Sequence, residues 1–403
     1  FENNTATYSG GAIYTNNGNV TTTESQFINN TVNIAGGAIY TNGKTNIDNS
    51  DFIKNTATGT DSVGGAIYST DTVTVNNTSN FINNKANKNG GAIFSPNAAV
   101  NVDNATFINN TATTGSGGAI YSNYDVNATN SNFTNNTANI TGGAIYSDTG
   151  KVLAGNVNFV NNTAVTQGGA VYANKNITLI NSTFTGNKVN GTSGTAGGAV
   201  FSNNQVSVDN SSFINNTALN GSGGAVYANN TVTIVNGSEF VNNTAKSGGA
   251  VTSALGNITV NDTEFVNNTA TSGTGGALNS VTDEVFVNNT KFENNNATNG
   301  LGGAIYGKTN VTAINTTFTN NTAGTAGGAI FSDTGIVNTS NSHFINNNVT
   351  NGSGGAIYSN NNIIVNVTEF TNNTATLSGG AIYTSKGEVS SINSTFTNNT
   401  AKT

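Results

Sequence analysis

Short stretches with an apolar residue at every second position recur along this chain of 403 residues. Val100 and Val102 form one such pair, and Ile177 and Leu179 form another. Period-two alternation is typical of a β-strand that buries one face. Almost no stretch shows the 3.6-residue periodicity of a helix. The pattern therefore predicts many short β-strands joined by tight turns.

The predicted strands belong to a tandem repeat of about 26 residues. Each copy begins with Phe in an F-x-x-N motif, and neighbouring copies start 25 to 29 residues apart. Comparing the copies with one another shows which positions the coil geometry constrains. The motif starts at Phe1, Phe27, Phe52, Phe81, Phe107, Phe133, Phe159, Phe184, Phe213, Phe240, Phe265, Phe292, Phe318, Phe344, Phe370 and Phe396.

The third residue after each Phe is Asn in every copy. The residue before that Asn is less constrained, since it is Lys54 in one copy and Gly186 in another. Side-chain amides can pair along stacked strands about 4.8 Å apart and can also satisfy turn backbone groups. We therefore predict that the third-place Asn points inward and forms a ladder, whereas the residue before it faces solvent. The predicted ladder consists of Asn4, Asn30, Asn55, Asn84, Asn110, Asn136, Asn162, Asn187, Asn216, Asn243, Asn268, Asn295, Asn321, Asn347, Asn373 and Asn399.

Three further parts of the repeat have predictable positions. A small apolar residue stands five places after each Phe, from Ala6 to Ala401, and is predicted to lie in the core. A Gly-Gly-Ala-aliphatic motif follows, as in residues 117–120, and its glycines predict a tight corner where coils approach closely. The segment between them has two residues at 246–247 and seven at 190–196, which predicts a surface loop. The aliphatic residue, and the small residue two places after it, are predicted to point inward.

An aromatic residue usually stands between those last two positions. It becomes Thr252 and Asn279 in two consecutive copies, and a core position should not accept that exchange, so we predict that this column is exposed. An exposed aromatic column can serve lateral assembly or stack on sugars. Alternatively, the rings stack on one another and only stabilise the strands. The column consists of Tyr14, Tyr40, Tyr68, Phe94, Tyr121, Tyr146, Tyr172, Phe201, Tyr227, Tyr306, Phe331, Tyr358 and Tyr383.

Three short strands and three corners in each copy predict a parallel β-helix, an all-β solenoid of about fifteen coils. Right-handed winding is expected because parallel crossovers are almost always right-handed. We expect residues 1–403 to form one continuous repeat domain. Because Phe1 lies inside the motif and Thr403 falls just past another copy, we also expect the chain to be part of a longer protein.

Composition narrows the possible chemistry. Only 8% of residues are charged, and 19 acidic against 12 basic residues give a net charge of −7 without any basic patch. Nucleic-acid binding needs clustered cations, so we expect none. Cysteine is absent, which excludes disulfides and thiolate metal sites, and we expect neither a cofactor nor a bound metal. No apolar run approaches the roughly 20 residues that span a bilayer.

The two alternating motifs resemble the repeat of the chlamydial polymorphic outer-membrane proteins. They are equally similar to the Asn/Thr-rich adhesin-like proteins of methanogenic archaea. The resemblance covers essentially the whole chain and rests on G-G-A-[ILV], as at residues 379–382, alternating with F-x-x-N. It implies a right-handed β-helical passenger on the cell surface that is used in attachment.

Enzymatic chemistry has few candidates. β-Helical lyases and hydrolases cluster acidic and basic side chains in one groove, but here the acidic residues are scattered and Arg is absent. Asp283 and Glu284 form the densest acidic pair, and we interpret them as a solvated turn. His343 is interpreted as an incidental surface residue. We therefore predict a protein that is not an enzyme. Ice binding by Thr columns is disfavoured, because residues such as Lys85 and Lys188 interrupt them.

The solvent-facing Asn of the motif often begins an Asn-x-Thr sequon. Such sites can be glycosylated in a secreted protein, although Asn and Thr are also good turn residues and stacked coils would crowd the glycans. Partial glycosylation is the hypothesis. The candidate acceptors are Asn3, Asn29, Asn109, Asn135, Asn161, Asn215, Asn242, Asn267, Asn320, Asn372 and Asn398.

Two extracellular functions fit these observations. In the first, the repeats form an adhesin-like stalk or passenger that mediates attachment at the cell surface. In the second, the chain is a structural subunit whose coils stack end to end into a filament or sheath, because open solenoid ends present unpaired strand groups. The expected partners are other copies of the chain, or glycans and proteins of cell surfaces.

Overall fold

The computed structural model describes residues 1–191 and 194–402. Within them the chain forms two compact units, one of residues 1–191 and 198–203 and the other of residues 194–197 and 204–402. In each unit the strands stack in parallel and in chain order, and equivalent strands lie about 26 residues apart. The predicted all-β solenoid of about fifteen coils is confirmed. Right-handed winding and a single continuous domain over 1–403 stay predictions.

Four strands occur in each coil, where the sequence predicted three. The additional strand is the short stretch after the ladder Asn, which pairs with its copies in register, as Thr111 does with Thr137. These strands form sheet 1 of each unit. The first unit has Thr5–Ala6, Thr31–Val32, Thr56–Ala57, Lys85–Ala86, Thr111–Ala112, Thr137–Ala138, Thr163–Ala164 and Lys188–Val189, and the second has Thr217–Ser222, Thr244–Ser247, Thr269–Ala270, Asn296–Ala297, Thr322–Ala323, Asn348–Val349, Thr374–Ala375 and Thr400–Ala401.

Sheet 2 consists of the strands that follow the Gly-Gly-Ala corner. The first unit has Ile13–Thr15, Ile39–Thr41, Ile67–Ser69, Ile93–Ser95, Ile120–Ser122, Ile145–Ser147, Val171–Ala173 and Val200–Ser202. The second unit has Val226–Ala228, Val251–Ser253, Leu278–Ser280, Ile305–Gly307, Ile330–Ser332, Ile357–Ser359 and Ile382–Thr384.

Sheet 3 consists of the strands with alternating aliphatic residues. The first unit has Val20–Thr23, Thr45–Asp48, Val73–Asn76, Val100–Asp103, Val126–Thr129, Val152–Gly155 and Ile177–Ile180. The second unit has Val206–Asp209, Val232–Val235, Ile258–Asn261, Val285–Asn288, Val311–Ile314, Val337–Ser340, Ile363–Asn366 and Val389–Ile392.

Sheet 4 consists of the strands that contain the motif Phe. The first unit has Gln26–Ile28, Asp51–Ile53, Asn80–Ile82, Thr106–Ile108, Asn132–Thr134, Asn158–Val160 and Thr183–Thr185. The second unit has Ser212–Ile214, Glu239–Val241, Glu264–Val266, Lys291–Glu293, Thr317–Thr319, His343–Ile345, Glu369–Thr371 and Thr395–Thr397.

The core of each coil lies between these four sheets. Phe107 is fully buried and stacks on Phe81 and Phe133, with ring centroids 4.7 and 4.8 Å away. Ala112 and Ile120 of the same coil are also buried, as the sequence predicted for their columns. Because identical side chains stack at the coil spacing, each core column is a continuous apolar stack, and burial of its area stabilises the solenoid.

The Gly-Gly corner is as tight as predicted. Gly117 has φ +67°, a left-handed conformation that glycine adopts without steric cost. A Cβ atom on Gly118 would lie 2.0 Å from the carbonyl oxygen of Gly143 in the next coil. The first glycine therefore makes the turn, and the second lets neighbouring coils approach. The segment at 190–196 includes Thr192 and Ser193, which lie outside the described residues.

Two buried hydroxyl groups in the first unit lack hydrogen-bond partners, namely those of Thr22 and Thr45. Thr45 stacks between Val20 and Val73, where the other coils have an aliphatic residue. We expect Thr45→Val to stabilise the first unit by about 1 kcal/mol, because an unsatisfied buried hydroxyl is removed.

Urea denaturation of the chain measures this change. Thr41→Val is the matched control, because the Thr41 hydroxyl donates to the carbonyl of Gly18 at 2.6 Å and its removal should destabilise by a similar amount. If both variants destabilised the chain, the assignment of the Thr45 hydroxyl as unsatisfied would be wrong.

Candidate functional site: the stacked surface columns

The inward Asn column forms the predicted ladder in each unit. Asn110 illustrates one rung: its Oδ1 accepts from the backbone N and the Nδ2 of Asn84, both at 3.0 Å. Its Nδ2 donates to Oδ1 of Asn136 at 3.0 Å and to the carbonyl of Phe81 at 2.8 Å. Asn110 is fully buried. The side-chain amide therefore provides hydrogen-bond partners to groups at the same corner of the preceding and the following coil. No shorter or apolar side chain can do this.

The residue before the ladder Asn has the opposite environment. All eleven candidate glycosylation residues are exposed and have φ between 53° and 57°. Lys54 and Gly186 at the same position also have positive φ, at 56° and 65°. Asn tolerates this left-handed conformation better than most residues, so the backbone alone explains its frequency here. Glycosylation of these residues stays a proposal.

A second polar ladder was missed in the sequence. The residue two places before each Phe is usually Ser or Thr, and its hydroxyl accepts from the backbone N of the preceding coil. Ser25 N donates to Ser50 Oγ at 3.1 Å, and Ser50 N donates to Ser79 Oγ at 3.2 Å. The repetition of Ser and Thr at this place is the sequence signal for the second ladder, and the period-two pattern of apolar residues does not contain it.

The aromatic column corrects the sequence prediction. Its rings stack on one another within each unit, with centroids 4.7 Å apart between Tyr121 and Tyr146. The prediction of an exposed column is wrong for Tyr172, Phe201, Tyr227 and Phe331, which are buried. Tyr14 is exposed, and the remaining members, namely Tyr40, Tyr68, Phe94, Tyr121, Tyr146, Tyr306, Tyr358 and Tyr383, are half-buried.

The surface loop before the Gly-Gly corner contacts this column in two coils of the second unit. It folds alongside the column, because Thr252 donates to the carbonyl of Ser247 at 3.4 Å and Thr274 donates to Oδ1 of Asn279 at 2.8 Å. Thr252 and Asn279 are themselves buried, and the Thr252 hydroxyl and the Asn279 Oδ1 each have a hydrogen-bond partner in that loop. A polar residue at this position therefore does not indicate exposure. In the described part of the chain, the column is exposed at Tyr14 and half-buried or buried at its other members.

The stacked tyrosines make the first unit sensitive to alkaline pH. Burial raises the pKa of Tyr121 to about 12, and the nearby Asp148 carboxylate adds to the rise. Since the ordinary tyrosine pKa is about 10, the neutral form is favoured in the folded state. Its contribution to stability is fully present below about pH 10 and is lost as pH rises towards 12.

We therefore expect Tyr121→Phe to lose less stability than the unchanged chain between those pH values. Urea midpoints measured at neutral and alkaline pH check this. A parallel decline of both proteins would contradict it.

The candidate acidic and histidine residues are not brought together. The carboxylate of Asp283 accepts from the backbone N of Glu284 at 3.0 Å, as in a turn. His343 lies on sheet 4 beside Glu369, with Nδ1 3.2 Å from Oε2, and both side chains are exposed. Among the described residues no three His, Cys, Asp or Glu side chains cluster in a way that could hold a metal ion. The described part of the chain also has no helix that could cross a membrane.

A family model for the Chlamydia polymorphic membrane protein repeat matches nine stretches of the chain. They are residues 1–16, 24–42, 78–96, 104–123, 130–148, 156–174, 210–229, 315–333 and 367–385. These stretches are similar to the polymorphic membrane protein repeat, and together they cover less than half of the chain. Searches of curated proteins and of solved structures found no match.

The polymorphic membrane protein repeat covers a defined part of each coil. The match at 104–123 begins before the sheet 4 strand, passes the ladder corner at Asn110, and ends after the sheet 2 strand Ile120–Ser122. Seven of the other matches have the same limits and the match at 1–16 begins at the motif Phe, so every match leaves out the sheet 3 strands. The repeat therefore describes the two ladder corners and the Gly-Gly corner and does not extend over sheet 3.

Proposed function

We propose that this chain is an adhesin-like stalk or passenger that is displayed outside the cell and mediates attachment without enzymatic activity. The match of nine stretches to the polymorphic membrane protein repeat carries the proposal. The ladders support it: buried polar groups hold each coil to its neighbours, so that the outward side chains stand on a regular frame. A frame of this kind suits presentation of a surface to a partner.

Attachment can be tested with the purified chain on beads. We expect coated beads to bind cells or cell-wall material from the environment of the source organism, and free chain to compete for that binding. Beads coated with the heat-unfolded chain are the control, because they carry the same composition without the fold. Binding that is no greater for the folded chain would refute an adhesive function.

The alternative of a filament or sheath makes a different prediction. A structural subunit should assemble end to end at concentrations at which an adhesin stays monomeric. Analytical ultracentrifugation and electron microscopy of the same preparation separate the two. Long ordered filaments would favour the structural role over the adhesive one.

We also propose that the exposed sequon column is partly glycosylated in the native protein. Exposure of all eleven Asn side chains supports this, and the coil spacing of about 4.8 Å limits occupancy of neighbouring coils, such as those of Asn109 and Asn135. Peptide mapping by mass spectrometry should find glycans on alternate coils. Native protein without added hexose would refute the proposal.

A further inference from the structure

Phe286 breaks the outward pattern of sheet 3 in the second unit. It is the only aromatic residue in the described sheet 3 strands, and it stands in register between Thr259 and Thr312. Its side chain is 38% exposed. The same coil has Asn279 instead of an aromatic residue on sheet 2. In this coil the aromatic ring therefore lies on sheet 3 and not on sheet 2. Its neighbours in the sheet 3 column are not aromatic, so stacking of rings does not explain its presence.

A shallow groove of about 210 Å³ lies beside Phe286 on this face. Its lining comes from two outward columns of successive coils, namely Glu284, Asn310 and Ile336 in one and Thr312, Asn338 and Ile364 in the other. We call this surface, together with Phe286, the Phe286 groove. Thr312 pairs in register with Asn338, and Asn338 pairs with Ile364. Phe286 and Asn338 are two coils apart, so their Cα atoms are about 10 Å from each other.

The outward amide of Asn338 in the Phe286 groove differs from the paired amides of the first unit. In the first unit, Nδ2 of Asn127 donates to Oδ1 of Asn101 at 2.9 Å, so the outward amides pair along the column. In the groove, Thr312 and Ile364 flank Asn338, and no hydrogen bond of the Asn338 side chain is present among the described residues. Asn310 Oδ1 accepts from Ile336 N at 3.0 Å, as Asn19 Oδ1 accepts from Lys44 N in the first unit, and no hydrogen bond of the Asn310 Nδ2 is present among the described residues. The groove thus has free donors and acceptors around aliphatic side chains.

We propose that the Phe286 groove binds the pyranose ring of a neutral sugar in a surface glycan. A pyranose has an apolar C–H face, which suits Phe286 and the isoleucines, and a rim of hydroxyls, which suits the free amides and the Glu284 carboxylate. The volume is below the roughly 300–1,000 Å³ of drug-sized sites and fits a single ring. Glu284 is the only charged residue of the groove and disfavours acidic sugars.

One further observation agrees with a specific role. The residues of the Phe286 groove come from four successive coils, so that the combination occurs at one place in the second unit. This inference rests on the proposed adhesive function and names the ligand class of one site.

Saturation-transfer-difference NMR with the methyl glycosides of glucose, galactose, mannose and N-acetylglucosamine tests the proposal. The chain should be produced in cells without N-glycosylation, because Asn310 and Asn338 each begin a sequon. We expect at least one glycoside to bind, and Phe286→Ser to weaken it roughly five- to tenfold. Ile180→Ser is the matched control, since Ile180 is a sheet 3 residue with 37% exposure, and it should leave binding unchanged. Circular dichroism verifies that both variants fold.

Several results would overturn the proposal: no glycoside binds, Phe286→Ser binds as well as the unchanged chain, or native protein carries a glycan on Asn310 or Asn338. The bead assay separates this failure from failure of the proposed function. If beads with the unchanged chain and with Phe286→Ser attach equally, the sugar site is wrong and adhesion stands. If neither attaches, adhesion itself is wrong.

Discussion

Asn110→Ala should destabilise the first unit by roughly 3 kcal/mol or more. The substitution removes the acceptor of the backbone N of Asn84 and of one Nδ2–H of Asn84, and it removes the side-chain donor to the carbonyl of Phe81. Oδ1 of Asn136 keeps the backbone N of residue 110 as a donor. These groups are buried, and each unsatisfied buried group costs about 1–3 kcal/mol. Because a solenoid coil contacts only its neighbours, the loss should be local. Native-state hydrogen exchange should show faster exchange at Asn84 and its neighbours, and urea denaturation should show a lower midpoint.

The residue beside it provides the control. Asn109 is exposed with φ 56°, so Asn109→Gly keeps the left-handed conformation and should change stability by no more than about 0.5 kcal/mol. Asn109→Ala should cost more than Asn109→Gly, because Ala is strained at positive φ. If Asn109→Gly destabilised the chain more than Asn110→Ala, the inward and outward assignments of the two columns would be reversed.

Gly118→Ala is expected to cost about 3–5 kcal/mol, an unusually large effect for one methyl group. The new Cβ would lie 2.0 Å from the carbonyl oxygen of Gly143 and 2.7 Å from the backbone of Thr137. Backbone atoms of the next coil cannot yield as a flexible side chain can, so the two coils have to separate and lose hydrogen bonds. Thermal unfolding and hydrogen exchange on both sides of the corner measure the effect.

Gly155→Ala is the matched glycine control. Gly155 ends a sheet 3 strand, and the nearest atom to an added Cβ is Cγ2 of Thr129 at 3.6 Å, which is ordinary contact. We expect little change or slight stabilisation, because alanine loses less backbone entropy on folding. A similar loss in both variants would show that the coil spacing is not what excludes a side chain at Gly118.

Most of the fold could be predicted because the copies act as an internal alignment. Asn110 and Asn109 are identical residues in adjacent positions, yet the exchanges to Lys54 and Gly186 in other copies distinguish them. The structure explains why Asn is frequent in both columns. The inward Asn makes the hydrogen bonds of the ladder, and the outward Asn adopts a left-handed backbone conformation. The fourth strand was missed because two residues such as Thr111–Ala112 are too short to show an alternation.

Exposure of the aromatic column could not be predicted from tolerance to substitution. Thr252 and Asn279 are polar but buried, since the loop of the same coil supplies their hydrogen-bond partners. Whether a loop covers its neighbouring strand depends on the conformation of the loop. Comparing residue types at one position of the repeat gives no information about that conformation. The Phe286 groove was missed for a related reason. Its residues lie in four coils, and their proximity becomes visible only when the strand register is known.

The Asn ladder also has a direction. In every rung for which both bonds are described, Oδ1 faces the preceding coil and Nδ2 faces the following one, as in Asn136 between Asn110 and Asn162. The side-chain amide dipoles within a unit therefore align head to tail, and hydrogen-bonded groups in such a chain polarise one another. Each unit thus contains a column of aligned side-chain dipoles although few residues of the chain are charged.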